Sequence, residues 1–248
     1  MLSDFYDETE PIVNPEALNG KQKHLIDKCL ILFSIELYNH FLSHFECEQI
    51  AVVKACNGDV PIHSLEYKGE RIAFYLSPTG SAMASAFCSE ANWLTGAMKF
   101  VMFGSCGSLD QEKTKGHFII PTESYRGEGC SYYYAPAADY IRIKTADRLS
   151  EIFTEIGVPF VKGRNWTTDA MMRETKGLVA RRKEEGCISV EMELAGVQAL
   201  CDFCGLTLYD FLEAGDVLSE SGYEVEGLND ANHSLNKLFV ALEVALRI

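Results

Sequence analysis

Short apolar runs alternate with amphipathic stretches along most of the chain. Runs rich in Val, Ile, Leu, Phe and Tyr predict strands over 29–35, 49–56, 63–69, 71–78, 100–105, 117–126, 160–168, 187–192 and 206–214. Apolar residues at helical spacing predict helices over 37–45, 81–96, 145–157, 194–205 and 231–248. Gly80-Ser81 and Gly96 bracket the second of these, and Thr145 and Gly157 the third, where helix caps belong. No repeat or low-complexity linker interrupts the series. Strands alternating with helices imply an α/β fold, with a central, mostly parallel or mixed sheet covered on both faces. Ligands of such sheets gather at the carboxyl ends of strands. The residues that follow each strand are therefore the first place to look for chemistry.

At 248 residues the chain suits one large domain or two small ones, and at 47% apolar it can bury a core. The net charge of −14 argues against a nucleic-acid or anionic-membrane partner, since both want an excess of Lys and Arg. It leaves room for a small anionic substrate, because a local pocket can oppose the global charge. The apolar stretches fall short of a membrane span. The acidic opening MLSDFYDETEPIVNPEAL has no basic segment followed by an apolar one. A cytoplasmic location with nine free thiols is the expectation. The pair Cys201 and Cys204 has CxxC spacing, but it lies in an apolar helical pattern and reads as packing.

Four short stretches stand out. Ser77-Pro-Thr-Gly-Ser81 and Gly104-Ser-Cys-Gly-Ser108 follow strands and read as small-residue turns, where backbone amides can approach a ligand or an anion. CISVEMELAGVQAL sets Glu191 and Glu193 at the edge of a buried-looking segment with no Lys or Arg. Asp216 follows a glycine just past the strand at 206–214.

GSCG after an apolar strand, then VEMELAG, then GD after the next strand, resembles the nucleoside phosphorylase family. That family includes purine nucleoside and uridine phosphorylases and methylthioadenosine nucleosidases. HFIIPTESYRGEGCSYYY and NWTTDAMMRET look like segments of its bacterial members, and the resemblance runs from about residue 29 to the C-terminus. It implies one α/β domain over 1–248 around a mixed, partly barrel-like sheet, with 1–28 as an N-terminal extension packing on it. It also implies a homo-oligomer (dimer, trimer or hexamer) and no cofactor beyond inorganic phosphate as co-substrate, with no metal. The implied reaction is cleavage of the N-glycosidic bond of a nucleoside, through a transition state of oxocarbenium character.

The resemblance implies roles residue by residue. Glu193 matches the ribose-binding glutamate, whose two oxygens accept from vicinal hydroxyls and whose charge favours an oxocarbenium ion. Met192 matches the methionine packed on the ribose. Glu191 is expected to face away and make structural hydrogen bonds. Asp216 matches the aspartate that protonates or hydrogen-bonds the five-membered ring of a purine, so purine nucleosides are the expected substrates. Ser105, Gly107 and Thr79 are substrate-binding candidates. Met171 falls where many members place an aromatic ring against the base, with Trp166 or Tyr134 as substitutes. Asp169 is expected to be structural.

The phosphate residues differ from the family pattern. Its glycine-and-arginine loop after the first strand is Phe33-Ser-Ile-Glu-Leu-Tyr38 here, and Met102 replaces the arginine before GSCG. Only Ser105 keeps its phosphate-contact position, and Leu37 and Met102 stand where arginine forks would be. Phosphate binding at the millimolar level or weaker is the expectation. Arg126, Arg164 or Arg173 could supply charge from another direction. Glu36 lies near the catalytic glutamate of the nucleosidases. The sequence leaves three readings open: a phosphorylase yielding free base and ribose 1-phosphate, a nucleosidase using water, and a nucleoside-binding protein without the chemistry.

Overall fold

In the computed structural model, which describes residues 4–248, side-chain alternation along the central strands divides the core in two. The leading segment carries α1 (Pro15–Asn19) and is tied to the body where Trp93 Nε1 donates to Gly20 O at 2.6 Å. Next come β1 (Lys28–Leu32), α2 (Ile35–His44), β2 (Cys47–Val53), β3 (Val60–Tyr67), β4 (Glu70–Leu76), α3 (Ser81–Thr95) and β5 (Lys99–Ser108). The chain continues through α4 (Gln111–Thr114), β6 (Phe118–Gly127), β7 (Tyr140–Arg142), α5 (Ala146–Glu155), β8 (Phe160–Thr168), α6 (Lys176–Glu184) and β9 (Cys187–Glu191). It ends with α7 (Leu194–Cys204), β10 (Thr207–Ser219), β11 (Gly222–Glu224), α8 (Leu228–Asn232) and α9 (Leu235–Arg247).

In β1, Leu30 and Leu32 pack with Phe74, Val101 and Phe211 under α2, α5 and α9. Cys29 and Ile31 point the other way, with Ala73, Tyr75, Phe100 and Met102, against α3 and α7. This is the period-2 side-chain geometry of a strand buried on both faces. The sheet is mixed: β4, β1 and β5 run parallel, with antiparallel β3 and β2 at one edge. Strand β10 pairs with both β5 and β6, and β6, β8 and β9 lead back to β5. That ring closes part of the sheet into a barrel.

Several boundaries differ from the sequence pattern. GSCGS is the second half of strand β5 and not a turn, because β10 and β9 pair with it through Ser108. Strand β10 likewise runs past Asp216 to Ser219. The first strand stops at Leu32, and Ser34 caps α2 by accepting from Leu37 N at 3.2 Å. The single helix expected over 231–248 is two, α8 and α9, broken at His233. Helix α6 has no apolar stripe, burying only Val179 and Arg182, and so left no periodic signal. Cys201 is buried in the α3/α7 core with its Sγ 4.0 Å from that of Cys88, while Cys204 is exposed. No helix of the described residues is long and apolar enough to cross a membrane.

Candidate active site

The stretch that follows β9 builds one wall of a cavity of about 410 Å³. Strand β9 ends at Glu191, the backbone bends at Met192, and Glu193 stands at the N-cap position of α7. The Glu191 carboxylate anchors the bend. Its Oε1 accepts from Asn165 Nδ2 at 2.7 Å and from Thr167 Oγ1 at 2.5 Å. Its Oε2 accepts from Glu193 N at 2.6 Å and Leu194 N at 2.7 Å, as a carboxylate at a helix start should. Glu191 does not turn its back on the cavity as strand alternation suggested. It borders it, because the strand ends there, but its oxygens are engaged by the protein.

Helix α3 holds the same bend from the other side. Ser81 Oγ donates to Met192 O at 3.0 Å. Gly80 N donates to Glu193 Oε1 at 2.6 Å, which fixes the carboxylate at the cavity edge. Gly80 has φ +91°, a conformation that other residues adopt only at a cost. Thr79 is exposed and outside the lining, so the loop acts through the amide of its neighbour.

Asp216 approaches from β10. The pairing of β10 with β5 slips by one residue between Ala214 and Asp216, so that Asp216 sits opposite Gly107. This β-bulge re-aims the side chain. A Cβ on Gly107 would lie 2.4 Å from Leu218 Cδ1, 3.0 Å from Val190 Cγ1 and 3.4 Å from Asp216 Oδ2. Gly107 is therefore where β5 leaves room for the site. Met192, Glu193, Ser105, Gly107, Met171 and Asp216 all line the one cavity.

The remaining candidates lie elsewhere. Trp166 is buried in a separate apolar cluster. Tyr134 packs edge-on against Phe203. Arg126 is buried outside the lining, and each of its three nitrogens donates to the protein: to Ser131 Oγ at 2.7 Å, Pro136 O at 2.6 Å and Ala135 O at 3.1 Å. Arg164 pairs with Glu123 at 2.7 Å, and Arg173 is exposed outside the lining. Asp169 accepts from Gly129 N at 3.0 Å. Leu37 and Met102 point into the two cores and not into the cavity. Glu36 is exposed, 3.7 Å from His233 Nδ1.

Among the described residues no lysine or arginine lines this cavity. Its acids hold their protons more tightly than usual. Burial, and then the charge of Glu191, pushes Glu193 up to about 8. Burial raises Asp216 from the ordinary aspartate value, against a hydrogen bond from Tyr223 that holds it down. Glu174, which sequence reasoning missed, faces the same space, where burial and then Asp216 push it up to about 7. Phe33, at the end of the first apolar run, and Tyr223, which no periodicity in the sequence marked, also line the walls. The cavity thus offers a carboxyl at the α7 end and a carboxyl able to donate a proton at the β10 bulge, joined by apolar walls. It suits a neutral polar ligand with hydroxyls at one end and a basic atom at the other.

Residues 29–215 match the family model described as the Phosphorylase superfamily, and the chain belongs to that family. The DeoD-type purine nucleoside phosphorylase of Bacillus cytotoxicus is 23% identical over 185 residues, covering 73% of this chain and 78% of that protein. The purine nucleoside phosphorylase of Toxoplasma gondii, solved with immucillin-H, superposes with a TM-score of 0.73 at 18% identity, over 92% of this chain and 96% of that one. The 5′-methylthioadenosine/S-adenosyl homocysteine nucleosidase of Helicobacter pylori superposes with a TM-score of 0.70 at 18% identity, over 90% of this chain and 100% of that one. The family is one of nucleoside phosphorylases and nucleosidases, which act on the N-glycosidic bond. Its solved relatives include both phosphorylases and hydrolases.

Proposed function

We propose that this chain cleaves the N-glycosidic bond of a purine nucleoside and passes the ribosyl group to phosphate, giving free base and ribose 1-phosphate. The observation that carries the reading is the placement of Glu193 and Asp216 in one cavity, at the α7 end and at the β10 bulge. Glu193 accepts from the ribose hydroxyls, with Met192 against the sugar. In its ionised form, which predominates above about pH 8, its negative charge favours the oxocarbenium character of the transition state. Asp216, held protonated to higher pH by burial, donates to the departing purine nitrogen, help worth about 10²–10⁴-fold. A phosphate oxygen forms the bond to C1′ as the C1′–N bond breaks, and its electron pair leaves with the base.

The absence of any arginine or lysine from the described lining of this cavity favours a second reading, in which water takes the place of phosphate. Incubation with a panel of purine and pyrimidine nucleosides, with and without phosphate, reading free base by chromatography, separates the two. Phosphate-dependent release of purine bases is the expected result. Release at one rate with and without phosphate would assign the chain to the hydrolases, and no release from any nucleoside would overturn both readings. Asp216→Asn is expected to slow purine nucleosides at least tenfold more than pyrimidine nucleosides, because asparagine can donate a hydrogen bond but cannot deliver a proton. Equal losses on both classes would make Asp216 a structural residue.

A further inference from the structure

A second cavity of about 190 Å³ adjoins the nucleoside cavity, sharing Phe33, Gly104 and Ser105 with it. Water's share of liquid volume is about 30 Å³, so the chamber has room for more than one small group. Phe33, Ile35, Leu37 and Phe103 form the apolar part of its walls, and the polar part is basic where the nucleoside cavity is acidic. The chamber carries Lys237 and His233, with Ser34, Ser105 and Asn232. His233 Nδ1 lies 2.7 Å from Ser34 Oγ, the cap of α2, and Ser105 Oγ donates to Asn232 Oδ1.

Lys237 is the unusual member. It is 1% exposed, yet among the described residues it makes no ion pair. Its Nζ donates to Ala231 O at 2.6 Å, which leaves two N–H groups for the chamber. It also stands in the first turn of α9, the end of a helix where a cation is disfavoured. A buried ammonium without a counter-charge is costly unless an anion joins it. Glu213 on β10 is the acid whose charge it feels, and that carboxyl is itself raised by burial.

We propose that Lys237, with His233, is the cation that the missing arginines leave unsupplied, and that it binds inorganic phosphate in this chamber, beside Ser105 and next to the ribose. The inference rests on the reading of the larger cavity as a nucleoside site. Burial lowers Lys237 to about 8, so it carries the charge that holds the anion below that pH; the attacking oxygen and the proton delivered to the base are those already described. The two arginine forks expected on β1–α2 and β5 are replaced by one lysine from α9, with affinity near the millimolar range rather than far below it.

The test is calorimetric titration of inorganic phosphate into the wild-type chain and into Lys237→Met, a swap that keeps the apolar length of the side chain. The expected result is measurable phosphate binding that weakens at least tenfold in K237M, while binding of a nucleoside and the melting temperature hold. Phosphate affinity unchanged within twofold in folded K237M would overturn the proposal. If K237M does not fold, His233→Gln and Ser105→Ala carry the test: each is expected to weaken phosphate at least threefold, and unchanged affinity in both overturns it. Failure of the underlying reading looks different. Base release without any phosphate binding sinks the chamber and leaves the nucleoside site standing. Phosphate binding without base release from any nucleoside does the reverse.

Discussion

In the proposed reaction Glu193 is the residue on which the chemistry turns. Glu193→Ala is expected to lower kcat/KM on the best nucleoside substrate by far more than tenfold, with the fold intact, because it removes the contact of one carboxylate with Gly80 N at the cavity edge. A loss below tenfold, about 1.4 kcal/mol of transition-state stabilisation, would show that the sugar lies elsewhere. The site also has a pH signature. Glu193 is raised to about 8 by burial and by Glu191. The protonated carboxyl predominates below that value and is the poorer partner for two sugar hydroxyls. Affinity for a ribose-bearing ligand should therefore rise as pH climbs from 6 and level off above about 8. Measuring the Kd across that range in wild type and in Glu193→Gln checks this, and a parallel slope in E193Q would refute it. The two glutamates were legible as a pair in the sequence, but their division of labour was not. Whether an acid meets ligand or protein depends on donors from β8 and α3, which lie more than twenty residues away along the chain for Glu191 and more than a hundred for Glu193.

At the scale of elements, two junctions carry stability. The β9–α7 junction hangs on Glu191, which satisfies two backbone amides and two side chains. Glu191→Ala would strand these buried donors and is expected to cost about 3 kcal/mol or more, seen as a shift in the denaturant midpoint. Glutamine there should recover part of the loss. The second junction ties the β3–β4 turn to α9. Glu243 accepts from Tyr67 at 2.8 Å, Lys68 at 2.5 Å and Arg247 at 2.7 Å. Burial works to raise Glu243, but Lys68, Tyr67 and Arg247 outweigh it and hold the carboxyl down at about 2. A carboxylate lowered by folding stabilises the native state above its unfolded pKa, and that contribution is lost as pH falls from about 4.5 toward 2. With the cluster half in water, screening reduces the effect to about 1 kcal/mol. Glu243→Gln should lower Tm by about 2–4 °C at pH 7 and by much less at pH 2. An equal shift at both values would exclude this ionic origin.

At the scale of the molecule, phosphate dependence is the property that decides the reaction class. Base release by the whole chain is expected to rise with phosphate and saturate, even though the net charge of −14 opposes an anion. A rate independent of phosphate up to high millimolar concentration would contradict it. The repeating pattern of apolar runs determined by itself that the chain is a series of strands and helices around a central sheet, mostly parallel or mixed. Local hydrophobic spacing records which side of each element is buried. VEMELAG and the GD pair, which carried the family resemblance, both lie on the walls of the candidate site. Only the tertiary structure decided where strands β5 and β10 stop, since pairing across the barrel, not composition, extends GSCGS and GDVLS as strand. It also decided that Arg126 is enclosed by the β6–β7 connection and that Trp166 is core. Lys237 shows the boundary between the two. A lysine within the apolar stripe of 237, 241 and 245 is visible in the sequence as a cation in a core position. That it faces a chamber beside Ser105 follows only from α9 packing against β5, because contacts between residues more than a hundred positions apart leave no mark on the spacing of either segment.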